Sequence, residues 1–479
     1  MKSSGDDSGI VLKSGFWYTV SNFLTRAMVF ITTPIFSRLL TTEQFGNFHV
    51  FANWQSIFLI VCGIEIYATV NRARFDFTDE KSLNGYSTSC LFLSTLITGV
   101  VLLLYFIFPS FFEKILHMHR KYILAMFVYL FTYPAFEMFQ VRQRIRYHYK
   151  LSSALSFGAV IVSSLLALFL AHVMEGDRLF GRVLGQYMPI AILGFIFYIS
   201  FLIKSRNIRV SYWKYAIKIA ISLVFSYLAG QILLSSDKII VQHLSTAEAV
   251  AYLGIATSCA HIILIFVQCL NNAWSPWFYD KLNKKEYFQI QKTFKIYMWF
   301  IIFCTFGVIM IGPELVMVLG GKNYAPAVYL LPANMLSGIF NLIVTQLGSL
   351  ETFYKKAHYA AILTGITALI NLTLDFIFVR IFGYLAASYV TALCYIILIV
   401  MHFYMTRTMN RTDIISTSDV IGVILSALFM IPLSLILYQN VYIRWGVVFL
   451  LAMLFLITIR RLAKRVGVCF DVPRKKSHT

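Results

Sequence analysis

Arg26 offers the most chemistry in this chain. It lies midway along an apolar run that begins near Lys13, where a charge costs at least ~2.5 kcal/mol on insertion scales. Tyr18, Asn22, Arg26, Thr33 and Ser37 are spaced by whole helical turns and share one face, since residues so spaced project the same way. Two readings follow: the face lines a hydrated cavity, or Arg26 is a structural arginine bonded to carbonyls of a neighbouring helix. Intramembrane ionisable groups are functional by default, which favours the cavity. A later run repeats the pattern with Ser222, Ser226, Gly230 and Asp237, and its Lys218 either points into the same cavity or snorkels to the interface. Asp237 and Lys238 are an ion-coupling or gating pair, or cap a helix. Arg38 either gates or anchors. Asn271 and Asn272 can hydrogen-bond sugar hydroxyls or cap neighbouring helices, with Trp274 and Trp277 where interfacial aromatics sit. Glu65, Glu137 and Asp375 read as partners for loop cations, and His261 as an interhelical hydrogen bonder.

Other chemistries leave no signature. No G-x-x-x-x-G-K-[ST] loop or H-E-x-x-H pair occurs. The seven cysteines are scattered without a C-x-x-C, so they imply neither a zinc site nor a disulfide framework. No metal and no cofactor is expected, and no catalytic residue.

The elements that position these residues are membrane helices. Of 479 residues, 59% are hydrophobic and 13% charged, about half the charged share of soluble domains. Mean hydropathy is +0.74. Runs long enough to span, about 20 residues each, lie near 13–36, 47–70, 86–108, 121–141, 151–173, 183–203, 214–235, 249–275, 294–318, 329–349, 358–378, 384–405, 420–438 and 444–461. Continuous runs of this length are helices and exclude a β-barrel, whose strands are shorter and alternate. The net charge of +20 sits in short loops, so topology explains it and nucleic acid is not expected as a partner. Most Lys and Arg fall on one side, including the run Arg142, Arg144, Arg146 and Lys150. That side is cytoplasmic by the positive-inside rule, with both termini on it. Residues 22–54 align with 226–258 at an offset of 204, setting the first span over the seventh. Parallel repeats of this kind enclose a central cavity.

The expected fold is an all-α integral membrane protein of about 14 transmembrane helices, two six-helix lobes around a central cavity plus two C-terminal helices. Its parts are a cytoplasmic N-terminal tail (1–12), an N-lobe (13–204), a C-lobe (205–405), the last two spans (406–461) and a basic cytoplasmic tail (462–479).

Trp17, Asn22, Arg26, Pro34 and the run Arg38-Leu39-Leu40-Thr41-Thr42-Glu43-Gln44-Phe45-Gly46 resemble the first helix and outer loop of Wzx-type polysaccharide-unit flippases. Ser236-Asp237-Lys238-Ile239-Ile240-Val241 and the 271–276 stretch resemble their seventh and eighth helices. The resemblance covers nearly the whole chain and implies the multidrug/oligosaccharidyl-lipid/polysaccharide (MOP) exporter fold. It implies a flippase, not an enzyme, in the bacterial inner membrane. Such a protein moves undecaprenyl-diphosphate-linked oligosaccharide, an O-antigen or capsule unit, to the periplasmic leaflet by alternating access. Membrane lipid is a further partner, a polysaccharide polymerase or ligase assembly another, and the coupling ion is H+ or Na+. Arg26 and Lys218 would hold the diphosphate, and Asn22, Asn271 and Asn272 would touch sugars. The same superfamily contains lipid II flippases and MATE multidrug antiporters, which remain alternatives. A cationic drug wants a carboxylate in the cavity, whereas Arg26 suits an anion. A lipid-linked glycosyltransferase or polymerase would need larger outer loops than this sequence has.

Overall fold

The computed structural model describes residues 4–206, 208–409 and 414–466. Within them the chain forms α1 (Ser4–Leu39), α2 (Thr42–Gly63), α3 (Ile66–Asp76), α4 (Glu80–Ile107), α5 (Pro109–Leu116), α6 (Arg120–Ile145), α7 (Tyr149–Val173), α8 (Arg178–Lys204) and α9 (Val210–Leu244). There follow α10 (Ala247–Asn283), α11 (Tyr287–Met310), α12 (Gly312–Leu319), α13 (Leu331–Phe353), α14 (Ala357–Phe382), α15 (Leu385–Thr408), α16 (Thr417–Leu437) and α17 (Val441–Val466). A 3₁₀ stretch, Lys322–Tyr329, leads into α13 at a bend of 51°.

Every expected span coincides with a helix. Eleven helices, with α2 and α3 taken as one, are long and apolar enough to cross a bilayer, and twelve if the bent pair is one span. α1 and α17 complete the fourteen without meeting that measure. The polar face of α1 holds its hydropathy down, and the described apolar part of α17 ends at Phe455. Residues 4–12, expected as a tail, already belong to α1. Most of the expected basic tail, from residue 467 on, lies outside the described residues.

The repeat read from the sequence is visible in the caps. Thr41 closes a capping box, its hydroxyl accepting from the Gln44 N–H at 3.1 Å while Gln44 Oε1 accepts from the Thr41 N–H at 3.2 Å. Thr246 caps α10 by accepting from the Ala249 N–H. These caps are 205 positions apart, as are the helix ends Leu39 and Leu244 before them, so the repeat runs at 205 here and the 204 read from side-chain likeness is one residue short. The eight-residue helices α5 and α12 recur as well, each with a proline in its first turn. Packing repeats with them: α1 on α7, α7 on α8, α6 on α8 and α2 on α6 match α9 on α14, α14 on α15, α13 on α15 and α10 on α13.

Where the halves meet, α2 crosses α10. A Cβ on Gly46 would lie 1.8 Å from the Ala247 carbonyl oxygen, and one on Gly254 would lie 2.5 Å from the His49 ring. Only missing side chains allow this approach. His49 and Gly254 are themselves 205 positions apart, so the contact is close to self-paired about a pseudo-two-fold axis. The ends of α1 and α2 beside it are built into the core of the second half: Phe36, Leu40, Phe45 and Val50 pack with Val250, Leu253 and Tyr324. α16 and α17 attach to the second half through Lys295–Asp419 at 2.8 Å, Tyr438 Oη donating to the Ile309 carbonyl at 2.7 Å, and an Arg444–Glu314 ion pair.

The crossing makes a prediction. Gly46→Val should destabilise the protein by at least ~2 kcal/mol, within the range usual for overpacking. Gly230→Ala, where a Cβ meets nothing within 4 Å, should be neutral or stabilising. Thermal unfolding of both variants in lipid nanodiscs checks this; equal melting temperatures would contradict the tight crossing.

Candidate functional site

α1 carries Arg26 about 20 Å from its Leu39 end, at 1.5 Å per residue. The side chain is exposed and makes no ion pair or hydrogen bond among the described side chains. It is nevertheless within electrostatic reach of His261 on α10, as is Lys238 on α9. His261 also lies about 20 Å from the same end of the bundle. Arg26 is therefore on the side of α1 toward α10. There α10 presents Thr257, His261, Gln268 and Asn272 at whole-turn spacing.

The other expected residues divide by depth. Asn22 is one turn from Arg26 on α1, but its side chain lies outside the described residues. Lys218 is exposed, but about 40 Å from the Leu244 end of α9, some 20 Å deeper than Arg26. α9 is 35 residues long, which carries its first turns to the far interface. Lys218 is thus not beside Arg26. It shares its level with Asn271 and Asn272, equally far along α10. Asn271 accepts from Gln346 Nε2 at 2.7 Å and ties α10 to α13. Asn272 is exposed and accepts from Gln268 Nε2 at 3.2 Å. Arg38 bridges the halves at the opposite end, donating to the Pro34 carbonyl at 2.7 Å and to Val318 of α12 at 3.0 Å, while the Ser37 hydroxyl donates to Leu319 at 2.5 Å.

Asp237 and Lys238 are buried, with Lys238 Nζ 3.5 Å from Asp237 Oδ1. Their neighbour Ser236 donates to Asn371 Oδ1 at 2.6 Å and reaches Asp375 Oδ2 at 3.5 Å, joining α9 to α14. Asp375 is fully buried with Oδ1 unpartnered and no loop cation near it, against the sequence expectation. Glu137 does behave as expected, lying 3.5 Å from Arg144 and accepting from Tyr133 Oη at 3.1 Å. Glu65 does not: it is buried with Tyr67 as its hydrogen-bond partner. It sits at a break between α2 and α3 where Ile64 and Glu65 both adopt left-handed backbone, φ 45° and 48°.

The sequence reading also passed over Arg182 and His49. Arg182 on α8 is 6% exposed, with its guanidinium 3.5 Å from the Phe48 ring centre, 4.1 Å from Phe36 and 5.0 Å from Phe45. His49 on α2 has Arg182, Lys238 and His261 as its titratable neighbours. The sequence signal for Arg182 was its place one residue before an apolar run, which made it look like a loop cation.

An all-helical chain with a pseudo-two-fold repeat and polar groups held between its halves is a multi-pass membrane protein of the transporter type. The family model "Polysaccharide biosynthesis protein" matches residues 11–282, and the chain belongs to that family. A Haemophilus influenzae protein named for the Lsg locus is 21% identical over 286 residues, covering 58% of this chain and 68% of that one. Among solved structures, the lipid II flippase MurJ in an inward closed conformation superposes with a TM-score of 0.70 at 14% identity, over 93% of this chain and 99% of MurJ. An inward-facing MATE multidrug resistance transporter of the MOP superfamily gives 0.61 at 12% identity, over 82% and 95%. The fold is therefore the all-α membrane fold of the MOP superfamily.

Exposure separates the two arginines experimentally. In a background whose natural cysteines are replaced by serine, Arg26→Cys should react with a charged, water-soluble methanethiosulfonate at least ~10-fold faster than Arg182→Cys, since only exposed thiolates react readily. Equal rates would place Arg26 against lipid or within protein.

Proposed function

We propose that this protein is a flippase that carries an undecaprenyl-diphosphate-linked oligosaccharide from the cytoplasmic to the periplasmic leaflet of the bacterial inner membrane, for O-antigen or capsule synthesis. The observation that carries the reading is Arg26: an exposed guanidinium with no acid partner among the described residues, at mid-depth on the side of α1 toward α10, in a polysaccharide biosynthesis family member. A guanidinium binds a diphosphate through several charge-assisted hydrogen bonds, and in a low-dielectric cavity that attraction is poorly screened.

Residues 13–204 and 205–405 act as the two lobes, and both termini are cytoplasmic. The Leu39–Thr42 turn, the α2–α10 crossing and the Arg38 bridge then close the periplasmic end. The cavity opens to the cytoplasm past Lys218, Asn271 and Asn272, which meet the sugars on entry. His261 adds a hydrogen-bonding ring beside the diphosphate. Rocking the lobes about the crossing gives alternating access.

Energy comes from H+ or Na+ taken up where Asp237, Asn371 and Asp375 meet. A buried carboxylate with an unpartnered oxygen is costly unless it binds a proton or cation, and the site joins the two helices α9 and α14.

Three results test this. Arg26→Glu should reduce surface glycan at least ~100-fold, with Arg26→Lys intermediate because a point charge replaces a fork; normal display from the Glu variant at equal protein level rules the reading out. Depletion should accumulate a lipid-linked oligosaccharide on the cytoplasmic face, and lipid II in its place would assign the other substrate. In proteoliposomes, Asp375→Asn should abolish the dependence of transport on the ion gradient while leaving diphosphate binding intact; undiminished dependence excludes this coupling site.

A further inference from the structure

Arg182 is buried with two donor nitrogens, Nε and Nη1, lacking any hydrogen-bond partner. The rings of Phe36, Phe45 and Phe48 contact the guanidinium, but aromatic rings attract the charge of a cation and provide no acceptor for its edge. Its electrostatic neighbours are the hydroxyls of Tyr187 and Tyr324, with no carboxylate among them. Beside it His49 Nε2 is also buried and unpartnered, on the ring that fills the notch at Gly254. Lys238 lies within reach of the same histidine. Buried polar groups are nearly always satisfied, and an unsatisfied one calls for a missing ion or ligand. For a lone guanidinium the cost is several kcal/mol.

We propose that Arg182, with His49 beside it, is a second anion site that holds the substrate's diphosphate at the end of the bundle where it leaves. The inference rests on the reading that the cargo is a lipid-linked diphosphate. Arg182 lies about 6 Å from the start of α8, and Arg178 Nη1 donates to the Leu39 carbonyl at 3.0 Å, which fixes that start beside the end of α1. Arg26 is about 20 Å from the same end. The headgroup therefore passes between two cationic stations about 14 Å apart in depth. With α2 pressed on α10 the second station is sealed and its charge unpaired. Separation at the crossing uncovers it, and arrival of the anion repays the burial of the guanidinium. An empty second site thus raises the free energy of the closed end and favours opening as the substrate advances.

The test uses the full-length protein in lipid nanodiscs and inorganic diphosphate as the probe, with bound stoichiometry read by equilibrium dialysis. Two sites are expected in the wild type and one in either Arg26→Gln or Arg182→Gln. None is expected in the double variant, and Arg182→Lys should weaken one site about tenfold by removing a bidentate contact. Loss of binding in Arg26→Gln alone, with Arg182→Gln unchanged, overturns the second site and leaves the Arg26 reading standing. Loss only in Arg182→Gln does the reverse, and no binding in the wild type overturns both. Without diphosphate, Arg182→Met should melt higher than the wild type, as removal of an unpaired buried charge stabilises. A lower melting temperature would make Arg182 a structural residue and overturn the proposal.

Discussion

The contact of Gly46 with Ala247 is the constraint on which the arrangement depends. At this point α2 and α10 touch backbone to backbone, and the two halves are joined by a crossing with almost no lever of its own. Side chains around it are correspondingly forced outward or into notches, as His49 is into Gly254. Phe36, Phe45 and Phe48 then close over what remains, and Arg182 is caught between them. In the proposed mechanism the closely packed crossing and the buried charge act against each other: packing favours the closed form and the unpaired guanidinium opposes it.

The same argument explains why so few acids meet these cations. Burying one ion is costly, while a matched pair in the interior is close to neutral. The chain keeps Asp237 against Lys238 and the Asp375 carboxylate away from Arg26 and Arg182. At the bundle's other end, by contrast, Glu80 takes both Arg142 and Arg146, and those arginines serve as anchors. Arg38 and Arg178 instead spend their donors on backbone carbonyls, and the anion proposed for Arg26 and Arg182 would complete the two that have neither an acid nor a carbonyl among the described residues.

Much of the fold was legible in the sequence because hydrocarbon leaves a chain few choices. Apolar runs of spanning length must be helices, and all fourteen are. Arg26 was legible for the same reason, since a charge in mid-span has no trivial explanation. Three things were not. The offset of 204 came from side-chain likeness, whereas the helix ends and the caps at Thr41 and Thr246 set 205, because a Thr-Thr pair lets either Thr41 or Thr42 be laid over Thr246. Lys218 looked like a helper of Arg26 because both sit in spans; depth along a 35-residue helix is not readable without knowing where that helix ends. Arg182 lay just beyond a span as hydropathy draws it, so it was counted with loop cations, although three phenylalanines from other helices enclose it.

Depth also orders the mechanism. Lys218, Asn271 and Asn272 lie about 40 Å from the end of the bundle that Arg38 and Ser37 hold shut, Arg26 and His261 about 20 Å, and Lys238 and His49 about 10 Å. Positive or hydrogen-bonding groups therefore recur at intervals of about 10 to 20 Å of depth on α1, α2, α9 and α10. A single strong site in the middle would trap a dianion, since release would cost whatever capture gained. Several weaker sites lower the step between neighbours, as in other ion pathways, and each passes the anion on without ever leaving it bare in hydrocarbon. In the proposed mechanism the lipid tail needs no such path, because it stays in the membrane, so the route has only to be polar along one edge. That is the feature which the polar faces of α1 and α10 provide.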